Sequence, residues 1–190
     1  KDNEIPNLYL DLASHLISLI LYFFNKYPTE LKSCSSKKYK FNVVDNSYVW
    51  LKFKKFYGNL WFSKNSAGQR NNLTIRIFGS KGSIVWDHKK SESINLYDDQ
   101  GNMEIIDRLS NKGKYIKNSK LYTYAAGHPN GFLDAFHNTY ISIYELFMKS
   151  KKNNSLPMII QEKESLKILS ILEKIHTSSK KNNWVKTNIK

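Results

Sequence analysis

The chain has 190 residues, 41% hydrophobic and 14% aromatic, which suits one core-bearing globular domain and excludes collagen-like, disordered and polytopic membrane classes. Lysine and arginine number 30 against 16 acidic residues, a formal net charge of +14, and such a balance raises the question of nucleic-acid binding. All of these bases except Arg70, Arg76 and Arg108 are lysine, a point charge rather than a guanidinium fork; with the abundant asparagine and isoleucine, the excess reads as composition.

From Leu8 to Asn25 the residues are helix formers and large apolar groups without Gly or Pro, and Pro28 follows closely. This predicts one buried helix. Its most apolar stretch, Leu16 to Phe24, is well short of the roughly 20 residues that a membrane span needs. Between Glu30 and Asp107 the texture changes to short segments rich in Val, Ile, Tyr, Phe and Trp, bounded by Gly, Asn, Asp or Ser, which predicts strands and turns. Tyr48 to Lys54 and Asn59 to Lys64 flank Phe56-Tyr57-Gly58 as a hairpin. Trp50 to Tyr57 mixes aromatics with lysines, a pattern that can stack single-stranded bases but reads better as a half-buried strand with solvated lysines.

Leu73 to Phe78 and Ser83 to Asp87 pair around Gly79-Ser80-Lys81-Gly82, and Ile94 to Tyr97 pairs with Met103 to Ile106. After a Lys- and Asn-rich connection from Asn111 to Lys120, a second helical region opens at Pro129, a favourable first-turn residue. Phe132, Leu133, Phe136, Tyr140, Ile143, Tyr144 and Phe147 recur at helical spacing and predict an amphipathic helix with a wide apolar face. A last helix is expected over Glu162 to Thr177, with Lys180 and Lys181 complementing its dipole. The order of helix, sheet and helices is that of an α+β domain over residues 1–190, with helices on one face of a largely antiparallel sheet.

Asp11 and His15, four apart on the first helix, project from one face. A carboxylate beside an imidazole is the raw material of acid/base chemistry, although such a pair is also common on solvated helices. Within Ala125 to Phe132, Gly127, Pro129 and Gly131 predict a turn and helix entry, with His128 incidental to it. His137 and His176 read as structural. The five histidines lack zinc-ligand spacing, and the single Cys34 excludes an internal disulfide and fits a reducing, cytoplasmic setting. Neither a G-x-G-x-x-G turn nor a Walker A loop is present.

Three stretches carry a resemblance: Asp11-Leu12-Ala13-Ser14-His15-Leu16, then Gly68 with Asn72 through Trp86, then Gly127-His128-Pro129-Asn130-Gly131-Phe132-Leu133-Asp134-Ala135-Phe136. Together they resemble the C-terminal domain of the glucose-fructose oxidoreductase/inositol dehydrogenase/MocA family. The family combines an N-terminal Rossmann domain, which holds NAD or NADP, with a C-terminal α+β domain on a large open antiparallel sheet. The resemblance implies that Asp11 and His15 are its D-x-x-x-H motif, with His15 the acid/base on a substrate hydroxyl and Asp11 placing the substrate; His128 is a further substrate-binding candidate. The family has glycines shortly before that motif, whereas Glu4 to Leu10 contains none. The lysine of its E-K-P motif belongs to the nucleotide domain, so no lysine here takes that role.

The resemblance further implies a sugar, inositol or nucleotide-linked sugar as substrate and a homo-oligomer formed through the open sheet. Trp50, Phe53, Trp61, Phe78 and Trp86 are expected to pack against helices on one face and a second subunit on the other. With the Rossmann domain absent from this chain, no cofactor and no turnover are expected of it alone. Beginning at Lys1, the sequence is about what remains when a two-domain dehydrogenase is cut before its second domain. The competing readings are a non-catalytic binding or assembly module and, more remotely, a basic nucleic-acid binder.

Overall fold

The computed structural model describes residues 4–38, 42–110, 112, 127, 128, 130–148, 160 and 162–189. In chain order these form a π-helical turn (Tyr9–Ala13), α1 (Ser14–Phe24), β1 (Glu30–Ser36), β2 (Asn46–Lys52) and β3 (Tyr57–Ser63). They continue as β4 (Thr74–Gly79), β5 (Gly82–Asp87), β6 (Ser93–Asp98), β7 (Met103–Asp107), α2 (Phe132–Phe147), α3 (Glu162–Lys181) and β8 (Val185–Lys186). The α+β class and the antiparallel pairing stand as read from the sequence. The strands form two four-stranded ladders, β3-β2-β1-β8 and β4-β5-β6-β7, in two compact units, residues 1–68 with 160–190 and residues 69–159.

In the first unit the strands alternate cleanly. Ser47, Val49 and Leu51 of β2 are buried, whereas Tyr48 and Trp50 are exposed, the period-2 signature of a sheet covered on one face. The covering layer is helical. Ile168, Ile171, Leu172 and Ile175 of α3 meet Leu31, Val49 and Leu51 of the sheet, together with Tyr9, Ala13 and Ile17 from the first helical region. Burial of each such Leu or Ile side chain is worth about 1.5–3 kcal/mol.

The first helix departs from expectation in two ways. Its opening turn is π-helical, with the Ser14 N–H bonded to the Tyr9 carbonyl. It is also buried along one side only, since Tyr22 and Phe23 are exposed. It ends where expected, at Asn25, whose left-handed backbone (φ 46°) returns its N–H to the Leu21 carbonyl, the αL helix stop that asparagine tolerates.

β1 has no apolar alternation to announce it, because its inward positions include serines. Ser33 is fully buried, donating from its hydroxyl to the Ile175 carbonyl (2.7 Å) and from its N–H to Ser178 Oγ (2.9 Å) on α3. Both the hydroxyl and the N–H of Ser33 are thereby satisfied across the layer. The β2–β3 turn lies at 53–56 rather than at Phe56-Tyr57-Gly58. The buried Phe53 ring stacks on Phe56 at 4.3 Å, and the Phe53 N–H bonds to the Phe56 carbonyl, so Tyr57 and Gly58 already pair with Lys52 and Leu51.

The second unit holds the meander β4 to β7, whose first hairpin turns through Ser80 and Lys81 between the paired Gly79 and Gly82, as expected. In α2 the Asp134 carboxylate accepts from the Gly131 N–H at 2.7 Å, closing the first turn. Phe132, Leu133, Tyr140, Tyr144 and Phe147 on this helix are exposed. Pro129, expected at the helix entry, lies outside the described residues, as does the connection 113–120.

Gly82 has φ 141°, and a Cβ there would stand 2.1 Å from the Tyr97 carbonyl oxygen on β6, whereas Gly79 leaves a Cβ at an ordinary 3.5 Å. Gly82→Ala is therefore expected to destabilise the second sheet by about 3 kcal/mol, with Gly79→Ala close to neutral. Chemical denaturation of the two variants checks the difference.

Candidate functional site

Asp11 and His15 sit where the π turn passes into α1. Tyr9 fixes this junction: it is fully buried, its hydroxyl shares a 2.6 Å hydrogen bond with Ser35 Oγ on β1, and its ring meets Phe62 on β3 edge-on at 5.8 Å. The Ser14 hydroxyl donates back to the Leu10 carbonyl at 2.7 Å. π turns within helices are frequent at functional sites because they re-aim side chains. Here Tyr9 and Ala13 point into the core while Asp11 and His15 stay exposed.

The structure adds a residue that the sequence reading did not select. Lys64, directly after β3, places Nζ 2.5 Å from Asp11 Oδ2, with both side chains about half exposed (54% each). The hydrogen bond from Lys64 and its positive charge hold the Asp11 carboxyl below the ordinary carboxylate range, slight burial opposes this, and the charge of His15 adds a smaller downward pull. His15 makes no hydrogen bond to any described residue, so its imidazole is open to a ligand. The arrangement offers an ionised acceptor and an accessible proton carrier on one surface turn.

His128 lies in the second unit and is exposed. Its backbone is fastened: Arg108 Nη2 donates to the His128 carbonyl at 2.9 Å and to Glu92 Oε2 at 2.5 Å, and Glu92 Oε1 accepts from the Asn130 N–H at 3.1 Å. Gly127 has φ 94°, a left-handed backbone within the turn expected there, whereas Gly131 is extended (φ −144°). His137 is exposed on α2, and His176 packs its ring 6.2 Å from that of Tyr9, a packing role as expected. Among the described residues no group of three His, Cys, Asp or Glu is placed to hold a metal, and no helix is long and apolar enough to cross a membrane.

No sequence feature separates Lys64 from the other lysines; it is found only through the fold that carries β3 to the π turn. The depressed Asp11 titration has a direct consequence. The pair is complete at neutral pH and is lost only as pH falls through a midpoint below the ordinary carboxylate value of 3.8, so its contribution to the folded state fades at that acidic end. Carboxyl carbon NMR across pH 2 to 6 should place the Asp11 midpoint below those of unpaired aspartates.

Residues 6–85 match the family model of the GFO/IDH/MocA C-terminal domain. No curated protein matches the chain. Among solved structures it is similar to an oxidoreductase from Sinorhizobium meliloti (20% identity, TM-score 0.83, covering 94% of this chain and 51% of that one). An inositol dehydrogenase homolog complexed with NAD+ from Azotobacter vinelandii gives 17% identity, TM-score 0.81, and 94% and 48% coverage. Levoglucosan dehydrogenase, in complex with NADH and L-sorbose, gives 16%, 0.72, and 93% and 49%. The chain spans about half the length of each of these structures, and at such identities the likeness is one of fold. The resemblance read from the sequence therefore stands: the chain is similar to the GFO/IDH/MocA C-terminal domain over residues 6–85, and in fold, over nearly all its length, to these oxidoreductase structures.

Proposed function

We propose that this chain is the substrate-binding and oligomerisation domain of an NAD(P)-dependent oxidoreductase acting on a secondary alcohol of a sugar, inositol or nucleotide-linked sugar. The observation that carries the reading is the exposed Asp11–His15 pair on a turn pinned by Tyr9, within the stretch that matches the family model. A polyol presents adjacent hydroxyls. His15 takes or returns the proton of the reacting hydroxyl, and Asp11 accepts a hydrogen bond from its neighbour, so one turn both orients and deprotonates.

The described residues do not fit a dinucleotide: every strand pair among them is antiparallel, and among them no glycine-rich turn leads a strand into a helix, the arrangement that cradles a pyrophosphate. The redox half of the chemistry is the cofactor's, held in this reading by a Rossmann domain outside the chain, and no step of it is assigned to residues here. NAD is the favoured cofactor, because the inositol dehydrogenase homolog is complexed with NAD+ and levoglucosan dehydrogenase with NADH. Those proteins also support the substrate class, having been solved with myo-inositol and with levoglucosan.

Exposed aromatics support the homo-oligomer. Trp50 and Trp61 stand on the uncovered face of the first sheet. In the second, Phe78, Val85 and Tyr97 line an open hollow with Arg76. Apolar surface on a sheet face marks an association site. Phe53 lies instead on the helix-covered face of the first sheet, buried in the core, one of the two faces expected of these aromatics.

In a protein that joins this chain to its nucleotide domain, His15→Ala is expected to lower turnover of myo-inositol or another accepted polyol by about 10²–10⁴-fold, with NAD affinity kept; unchanged turnover rejects the assignment and favours a binding or assembly module. Multi-angle light scattering at micromolar concentration should give a dimer or larger for the chain, and a monomer would count against association through the sheets.

A further inference from the structure

We propose that Lys64 is a positioning residue of the substrate site: anchored at the end of β3, it occupies one oxygen of Asp11 and leaves the other to accept from a substrate hydroxyl beside His15. The proposal rests on the reading of Asp11 and His15 as that site.

Both partners are fixed to the same strands. The Lys64 N–H donates to the Asp45 carbonyl at 2.8 Å, and Ser63 Oγ donates to the same oxygen at 3.2 Å. Asp45 is itself buried, receiving the Lys38 N–H on Oδ2 at 3.0 Å and donating its own N–H to the Ser36 carbonyl. The backbone of Lys64 is therefore held at the junction of β1, β2 and β3. Asp11 is held on the other side through Tyr9, which contacts Ser35 of β1 and Phe62 of β3. With both backbones fixed, the ion pair sets Nζ against Oδ2 before a ligand arrives, which lowers the ordering left for binding.

Stability does not account for the pair. Ion pairs as exposed as this one contribute about 0–1 kcal/mol. Orientation does account for it. A carboxylate with two open oxygens accepts from many directions, whereas one with Oδ2 engaged presents Oδ1, which accepts no hydrogen bond from any described residue. The lysine also offsets the charge of Asp11, so a neutral polyol meets a polar acceptor without a bare anion.

Asp11 carboxyl and His15 imidazole signals would be followed by NMR in the chain and in its Lys64→Met, Lys64→Arg and Asp11→Asn variants, with myo-inositol as probe. In Lys64→Met the Asp11 midpoint should rise to that of the unpaired aspartates, and Lys64→Arg should restore it. Myo-inositol should move both signals in the wild type, with Kd weakened about threefold or more in Lys64→Met and in Asp11→Asn but within about twofold in Lys64→Arg. An unmoved Asp11 midpoint in Lys64→Met overturns the proposal, as does an unchanged Kd there when Asp11→Asn weakens binding. If myo-inositol leaves Asp11 and His15 unmoved in the wild type while the midpoint shifts as expected, the site reading itself is overturned and the role of Lys64 with it.

Discussion

The burial of Tyr9 is the constraint on which the candidate site depends. A tyrosine can enter a core only if its hydroxyl finds a partner, and Ser35 supplies one from an otherwise polar strand. The ring is then gripped by Phe62 and approached by His176, so three elements distant in sequence meet at one side chain. With Tyr9 and Ala13 both turned inward, the helix opens into a π turn, and that turn presents Asp11 and His15 outward. The candidate site sits on the surface because Tyr9 and Ala13 fill the core beneath it.

The same economy governs the polar interior. Ser33 and Ser178 bridge β1 and α3 where a larger apolar side chain would be expected, and Thr187 hydrogen-bonds to the Pro28 and Thr29 carbonyls beside β8. In the second unit Arg108 is buried, its side chain 9% exposed, and joined to Glu92 and to the His128 carbonyl. A planar guanidinium can serve two acceptors in a fixed geometry, which a lysine ammonium does less well. Among the described residues the lysines stay outside, and three of them, Lys52, Lys64 and Lys112, find carboxylates on the surface.

Much of the fold was legible. β4 through β7 fall within a residue or two of the segments marked by Val, Ile, Tyr and Trp, and α2 and α3 follow their apolar spacing. β1 was not marked because its buried serines depend on α3, some 140 positions later, for their partners. The displaced β2–β3 turn has a similar cause: local sequence offers Gly58 as the turn, but the stacking of Phe53 on Phe56 closes the chain earlier. The π turn was hidden as well, since i, i+4 spacing of Asp11 and His15 describes an ordinary helix equally well.

By itself the sequence determined the α+β class, the alternation of the strands and the placement of a carboxylate and an imidazole on one helical turn, because these follow from side-chain periodicity over a few residues. Tertiary structure alone decided that Tyr9 is the anchor of that turn and that Lys64, among so many lysines, is the partner of Asp11. The physical reason is that an ion pair is selected by distance in space: the contact of residue 64 with residue 11 exists only once β3 and the first helix have packed on a common core.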